Sequence, residues 1–279
     1  MKRIVFIFLG LVLINSCRKP NPNLNVLLES KTYIHLSHTR TSENPMLDNL
    51  IENMNFSSYD MIWLGGDLAY HTSADIETMN HIDSIFHVGQ ETTLWSIGNH
   101  DYTSLPLIQE YTNRPAYYAY NQNELTFVVL DTQDDLSSIS GEQKDFFLSV
   151  ADTIENSTHL IILHHKLIWM FGDEFLEPMI PDVANGGLGD CFYCINPNNF
   201  YTEIYPTLVD IQNQGIEVIC IGGDVGFNTK EFQYTTPEDI QFLASGISWG
   251  DNQNNKALIF HHNLVDKTLD WEFKRLLDL

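Results

Sequence analysis

Two apolar runs between Met61 and Asp101 each stop at glycine and pass straight into ligand-type side chains. No other feature constrains the fold as tightly. The first run, Met61-Ile62-Trp63-Leu64, breaks at Gly65-Gly66-Asp67; the second, Thr93-Leu94-Trp95-Ser96-Ile97, breaks at Gly98-Asn99-His100-Asp101. A short, continuous apolar run bounded by glycine reads as a strand buried on both faces, and glycine lets the backbone turn sharply beyond its end. Between the runs, Ile76, Met79, Ile82 and Ile85 recur at helical spacing, which predicts a helix over 73–86. Strand, helix, strand in that order puts both polar tips on one edge of a parallel sheet.

The same pattern recurs along the chain. Lys31–Leu36 reads as a strand that ends in Ser37-His38-Thr39-Arg40. Pro45–Met54 has helical spacing. Tyr117–Tyr120 and Leu125–Leu130 predict a hairpin across Asn121-Gln122-Asn123-Glu124. A helix is expected over 140–150, with Glu142 near its positive end. His159–Leu163 predicts a strand ending at His164-His165, and Glu217–Ile221 one ending in Gly222-Gly223-Asp224-Val225-Gly226, with a helix over 200–214 between them. Residues 166–198 show no periodicity and read as a long functional loop. Strands over 240–244, 256–262 and 267–273 are expected to close the structure as antiparallel neighbours. No repeat and no second domain is visible in residues 31–279.

Taken in order, these tips resemble the signature of the calcineurin-like metallophosphoesterases: Asp-x-His, Gly-Asp, Gly-Asn-His-Asp/Glu, a lone His, and Gly-His-x-His. The resemblance implies an α/β fold, an α/β/β/α sandwich in which two packed mixed sheets are flanked by helices. It also implies a metal site of Asp67, Asn99, His164 and Asp224, all able to ligate a divalent ion such as Mn, Fe or Zn. His100 is then the proton donor to a leaving oxygen, with Asp101 fixing its imidazole. His71 lies near the site as a loop histidine, and His165 falls outside the ligand set.

The family's other metal site is altered here. Its Asp-x-His reads His38-Thr39-Arg40, and the second His of Gly-His-x-His reads Gly226. A guanidinium stays protonated and cannot ligate a cation. One metal per chain is therefore expected, with His38 as an added ligand. Arg40 is either an anion clamp suited to phosphate or carboxylate oxygens or the partner of a nearby acid, and Gly226 would leave room for its guanidinium. Two functions follow. One is a phosphoesterase acting on a small phosphorylated mono- or diester; the other is an inactive member of the fold that binds an anionic ligand or a cell-envelope protein partner.

The rest of the chain narrows the setting. Met1-Lys2-Arg3, the apolar stretch 4–14 and Cys17 after Ser16 resemble a bacterial lipoprotein signal; the alternative is an ordinary signal peptide with an incidental cysteine. On the first reading residues 1–16 are removed, Cys17 carries lipid at the cell envelope, and residues 17–30 are a tether. A formal charge of −23 excludes nucleic-acid binding through a general field. It also repels phosphorylated substrates, so an anion site must bring its own cations. Cys191 and Cys194 read as a disulfide or free thiols rather than a zinc knuckle, which needs a second pair.

Overall fold

The computed structural model describes residues 29–279. The signal segment 1–16, Cys17 and nearly all of the tether lie outside the described residues; the tether's last residue, Ser30, already belongs to the first strand. No helix among the described residues is long and apolar enough to cross a membrane.

Two sheets form the middle of the molecule. The first has five strands in the order β11-β10-β1-β2-β3, built from β1 (Ser30–Leu36), β2 (Met61–Leu64), β3 (Thr93–Trp95), β10 (Lys256–Asn263) and β11 (Thr268–Arg275). The second has six, β4-β5-β6-β7-β9-β8, from β4 (Tyr118–Gln122), β5 (Leu125–Val129), β6 (His159–His164), β7 (Glu217–Gly222), β8 (Glu231–Thr235) and β9 (Gln241–Ser245). Both are mixed. Strands β1, β2 and β3 run parallel, as do β5, β6, β7 and β9, while β4, β8, β10 and β11 pair antiparallel.

Side-chain alternation along the strands builds three apolar layers. Tyr33, Met61, Trp63, Phe127, Ile161, Leu163, Ile221 and Phe260 meet between the sheets. Ile34, Leu36, Ile62 and Leu64 face outward onto Met79, Ile82 and Phe86 of the helix Ile76–Phe86 and Ile108 of the helix Leu105–Thr112. Leu160, Ile162, Val218 and Cys220 face the other way onto Phe147, Leu208 and Ile211 of the helices Gly141–Thr153 and Tyr205–Asn213. Helix, sheet, sheet, helix is therefore the observed order of layers.

Five elements differ from the sequence reading. The helix expected over 45–54 is only the single turn Asn49–Glu52. Strand β4 runs on to Gln122, so that its hairpin turns on Asn123-Glu124 alone. The 240s strand is not an antiparallel closure: β9 lies parallel to β7 and takes only β8 antiparallel; β8 has a single buried apolar residue, Phe232, and is too weakly patterned to read as an edge strand. The helix Leu105–Thr112 was not expected; it is short, and Pro106 occupies its first turn, where a missing N–H costs nothing. The helix near residue 200 begins as one wide turn, Phe200–Ile204, with the Tyr205 N–H bonded back to Phe200 O, before Pro206 opens the regular part. Short turns at Ile168–Met170, Glu177–Met179 and Ile180–Val183 break up the 166–198 loop.

The carboxyl ends of β1, β2, β3, β6, β7 and β9 gather at one end of the sandwich. There the two sheets touch backbone to backbone: a Cβ on Gly223 would lie 1.8 Å from Gly65 O. Only glycine allows the tips of β2 and β7 to approach this closely, and everything described next is set around that contact.

Candidate functional site

Asp67 and Asp224, from opposite sheets, share one buried cluster with three histidines and an arginine. His38 Nε2 lies 3.4 Å from Asp67 Oδ2 and 3.3 Å from Asp224 Oδ1. His165 Nε2 lies 3.5 Å from Asp67 Oδ1 and 3.9 Å from Asp224 Oδ1. The two imidazoles stack, with centroids 5.5 Å apart. His100 Nε2 is 4.0 Å and Arg40 Nε 3.7 Å from Asp67 Oδ2. Burial works to raise the Asp67 carboxyl, but His165, His38, His100 and Arg40 outweigh it and hold the group down at about 2.

Two of these residues sit in left-handed backbone, His38 at φ 54° and Asp67 at φ 56°. Such conformations cost energy in a non-glycine residue and persist only where the surroundings enforce them. The enforcement is visible: His38 N–H donates to Gly66 O, and Asp67 N–H donates to Asp101 Oδ2.

Metal-ligand competence is clearest at His165. Its Nδ1 lies 2.7 Å from Gly65 O, a contact only an N–H makes, so Nδ1 carries a proton and Nε2 is the ring atom left to meet an ion. That Nε2 is buried and has no hydrogen-bond partner. Ligand atoms of His38, His165 and Asp224 all lie within 4.8 Å of one another, the spacing at which one ion touches all three. Asn185 adds a further constraint on His38. Its Oδ1 accepts the Phe227 N–H, which turns its Nδ2 toward His38 Nε2 at 3.0 Å.

The sequence pointed to His164, but the residue that joins this cluster is His165. His164 is fully buried but faces the other way: its Nδ1 bonds to Lys166 O and its ring packs edge-on to Trp169. The reason is the period of two along β6. Ile161 and Leu163 point between the sheets, so His165 follows them, whereas His164 follows Leu160 and Ile162 into the helix-covered layer. There burial drives its imidazole down to about 3, with His165 adding to the effect.

Asp101 also has a different task from the one the resemblance implied. It makes no bond to His100. Its carboxylate accepts N–H groups of Asp67, Leu68 and Gly98, the Trp95 indole N–H and the Thr72 hydroxyl. It therefore clips the loop after β2 to the loop after β3. Orientation of His100 comes instead from the Tyr70 carbonyl, 2.6 Å from Nδ1.

Arg40 enters the site beside Asp67 at a distance longer than a hydrogen bond, and its buried Nε has no partner. Its guanidinium lies over the Phe227 ring at 5.5 Å. Gly226 does not make room for that guanidinium; a Cβ there would meet Ile247 O at 2.3 Å. Asn99, with His100, Tyr193 and Phe227, lines a cavity of about 150 Å³ over the cluster. His71 stands 6.1 Å from His100, ring to ring.

Several site residues gave no sequence signal because they lie in the aperiodic 166–198 stretch. Asn185 and Tyr193 are two. Cys191 and Cys194 form a disulfide, which closes the short loop carrying Phe192 and Tyr193. Beneath it, Lys166 is fully buried, its Nζ has no hydrogen-bond partner, and it faces the Phe192 ring at 5.9 Å.

No protein-family model matches the chain, and no curated protein matches it. Among solved structures it is similar to phosphopantetheinyl hydrolase (PptH) from Mycobacterium tuberculosis. That likeness has 11% identity over 79% of this chain and 90% of the other, at a TM-score of 0.44. It is also similar to Vps29 from Chaetomium thermophilum, with 10% identity over 87% of this chain and 95% of that one, at a TM-score of 0.34. Both likenesses are distant.

Proposed function

We propose that this chain is a metal-dependent phosphoesterase with one divalent ion per chain, held by His38, His165 and Asp224 with Asp67 beside them. The observation that carries this reading is His165. A buried imidazole whose Nδ1–H is tied to a carbonyl, and whose bare Nε2 faces two carboxylates, is arranged for a cation. A bound divalent ion supplies polarisation of a phosphoryl oxygen and a lowered pKa for its water. The protein's own groups do the rest. Arg40, at the cavity wall, offers a fixed positive charge to a phosphoryl oxygen in a chain whose overall field repels it. His100, held through Nδ1 by Tyr70 O, turns Nε2 into the cavity, where it can hand a proton to the departing oxygen. Asn99 stands at the same wall as a further oxygen donor. The proposed substrate is a small phosphomonoester or phosphodiester, and the proposed setting is the cell envelope, with lipid on Cys17.

Elemental analysis of the purified protein, paired with hydrolysis of a generic phosphodiester, tests the reading. About one ion per chain is expected, lost in His165→Asn and Asp224→Asn together with hydrolysis. One ion without hydrolysis would leave a binding protein for anionic ligands. Absence of an ion after incubation with Mn, Fe and Zn would sink the proposal.

A further inference from the structure

The cavity over the histidine–carboxylate cluster has a second one of about 150 Å³ beside it. The two share His38, Arg40 and Phe227. The second is walled by Tyr70, Phe227, Ile247 and Trp249, with Thr41 and Ser42 at its rim. Single exposed apolar side chains need no explanation on a protein surface. Here they are not scattered: the described residues hold six exposed large aromatics, and Tyr70, Tyr193, Phe227 and Trp249 all line these two cavities. Trp249 is 59% exposed and Phe227 56% exposed, so both offer surface to an occupant, Phe227 on the part that Arg40 leaves uncovered.

Volume and wall chemistry together point to that occupant. About 150 Å³ of apolar space accepts a benzene-sized ring. Aromatic walls favour a planar group, which stacks with sequence-tolerant energy on any exposed π-face. Arg40 lies over Phe227 at the junction, so a charged head placed in the first cavity and a ring placed in the second would flank the same guanidinium. Resting on the phosphoesterase reading for its anionic half, we propose that the substrate is a phosphoester whose group next to the phosphoryl carries a single planar ring, aryl or pyrimidine in size. Tyr70 and Trp249 select it.

Titration calorimetry on the Mn-loaded protein with phenylphosphonate and methylphosphonate tests this without turnover, because the carbon–phosphorus bond is not an ester. Phenylphosphonate is expected to bind more tightly by on the order of tenfold, the scale of one ring-stacking contact. Trp249→Ala should bring the ratio of the two affinities close to one, and Tyr70→Leu should lower it in part. Quenching of indole fluorescence by the phenyl compound alone gives a second readout that requires no variant. Equal affinities in the native protein would overturn the ring subsite even if phosphoester hydrolysis is present. A phenyl preference in a protein that hydrolyses nothing would uphold the subsite and remove the enzyme reading. Binding of neither phosphonate would overturn both.

Discussion

Asp67 and Asp101 are both buried and are joined by a hydrogen bond from the backbone of one to the carboxylate of the other, yet they do opposite things. Asp101 is saturated by five donors drawn from two loops and a strand. Asp67 accepts one backbone N–H, from His100, and otherwise faces imidazoles and a guanidinium at 3.4 to 4.0 Å, beyond good hydrogen-bond range. Their titration separates against the count of donors. Burial and the charge of Asp67 push the Asp101 carboxyl up against its donors, whereas His165, His38, His100 and Arg40 hold Asp67 down. Satisfied buried polarity fixes a backbone; unsatisfied buried polarity waits for a ligand. The fold uses the first kind to hold the second in place.

The largest expected effect is on the satisfied side. Asp101→Ala strands three backbone N–H groups, an indole N–H and a buried hydroxyl, so urea unfolding should show a loss of about 3–5 kcal/mol. Asp67→Asn keeps the shape but removes a charge that the surrounding histidines and Arg40 favour. It should cost about 2 kcal/mol at pH 7 in the metal-free protein, at roughly 1.4 kcal/mol for each pH unit by which that carboxyl is lowered. Comparable losses in the two variants would erase the distinction between a structural and a ligand-facing carboxylate.

Next comes the pair of adjacent histidines. His165→Asn should weaken metal binding by about a hundredfold or more, above the roughly ten- to hundredfold that loss of a group merely supporting a ligand produces. His164→Asn should leave bound metal near the native level, measured by competition with a chromogenic chelator. An equal loss in both would show that the parity of β6 does not govern the site.

This pair also shows where sequence reading succeeds and where it stops. Strand-end glycines made the shared edge legible, and with it Asp67, Asn99, His100, Asp224 and the layered architecture, because backbone geometry demands those residue types at those points. The choice between His164 and His165 was not legible. Strand β6 is apolar at every position from Leu160 to Leu163, so no alternation marks which face is which. The role of Asp101 was hidden for another reason: a carboxylate turned inward to backbone N–H groups looks, in sequence, like one turned toward the neighbouring imidazole. Asn185, Tyr193 and Lys166 come from an aperiodic loop whose path depends on tertiary packing and a disulfide.

Acid sensitivity follows from the histidines that stay neutral in the core. Burial holds His35 and His164 down at about 3 and His159 and His262 at about 4. A histidine whose folded value lies below its unfolded value near 6.5 contributes full stability above that value. The contribution is lost as pH falls from about 6.5 toward the folded value. For His164 the loss at pH 5 is about 2 kcal/mol, at roughly 1.4 kcal/mol per pH unit. His164→Phe should therefore flatten the fall in stability between about pH 6.5 and 5 by about that amount. An unchanged slope would mean that His164 finds a partner for its Nε2.

Lys166 is the smallest test and the most discriminating, because it puts an unsatisfied group where the comparison predicts strain without function being assumed. Its ammonium is buried without a hydrogen bond. Burial lowers it to about 8, while Asp224 and Asp131 pull the other way from beyond bonding distance. Asp131 is itself pushed up to about 6 by burial, and its carboxylate is already engaged by the Tyr102 hydroxyl and the Gln133 N–H. Methionine matches the length of lysine and carries no charge to desolvate. Lys166→Met should stabilise the metal-free protein by about 1–2 kcal/mol at pH 7, since replacing imperfectly compensated buried charge with apolar volume is commonly favourable. The sign with pH is fixed by the lowered folded value. The burden is full below about 8, shrinks as pH rises toward the unfolded value near 10.4, and is gone above it, so the advantage of methionine should fade over that interval. A destabilising Lys166→Met would show that the ammonium is paired after all, and would move Lys166 from the unsatisfied class, with Asp67, to the satisfied one, with Asp101.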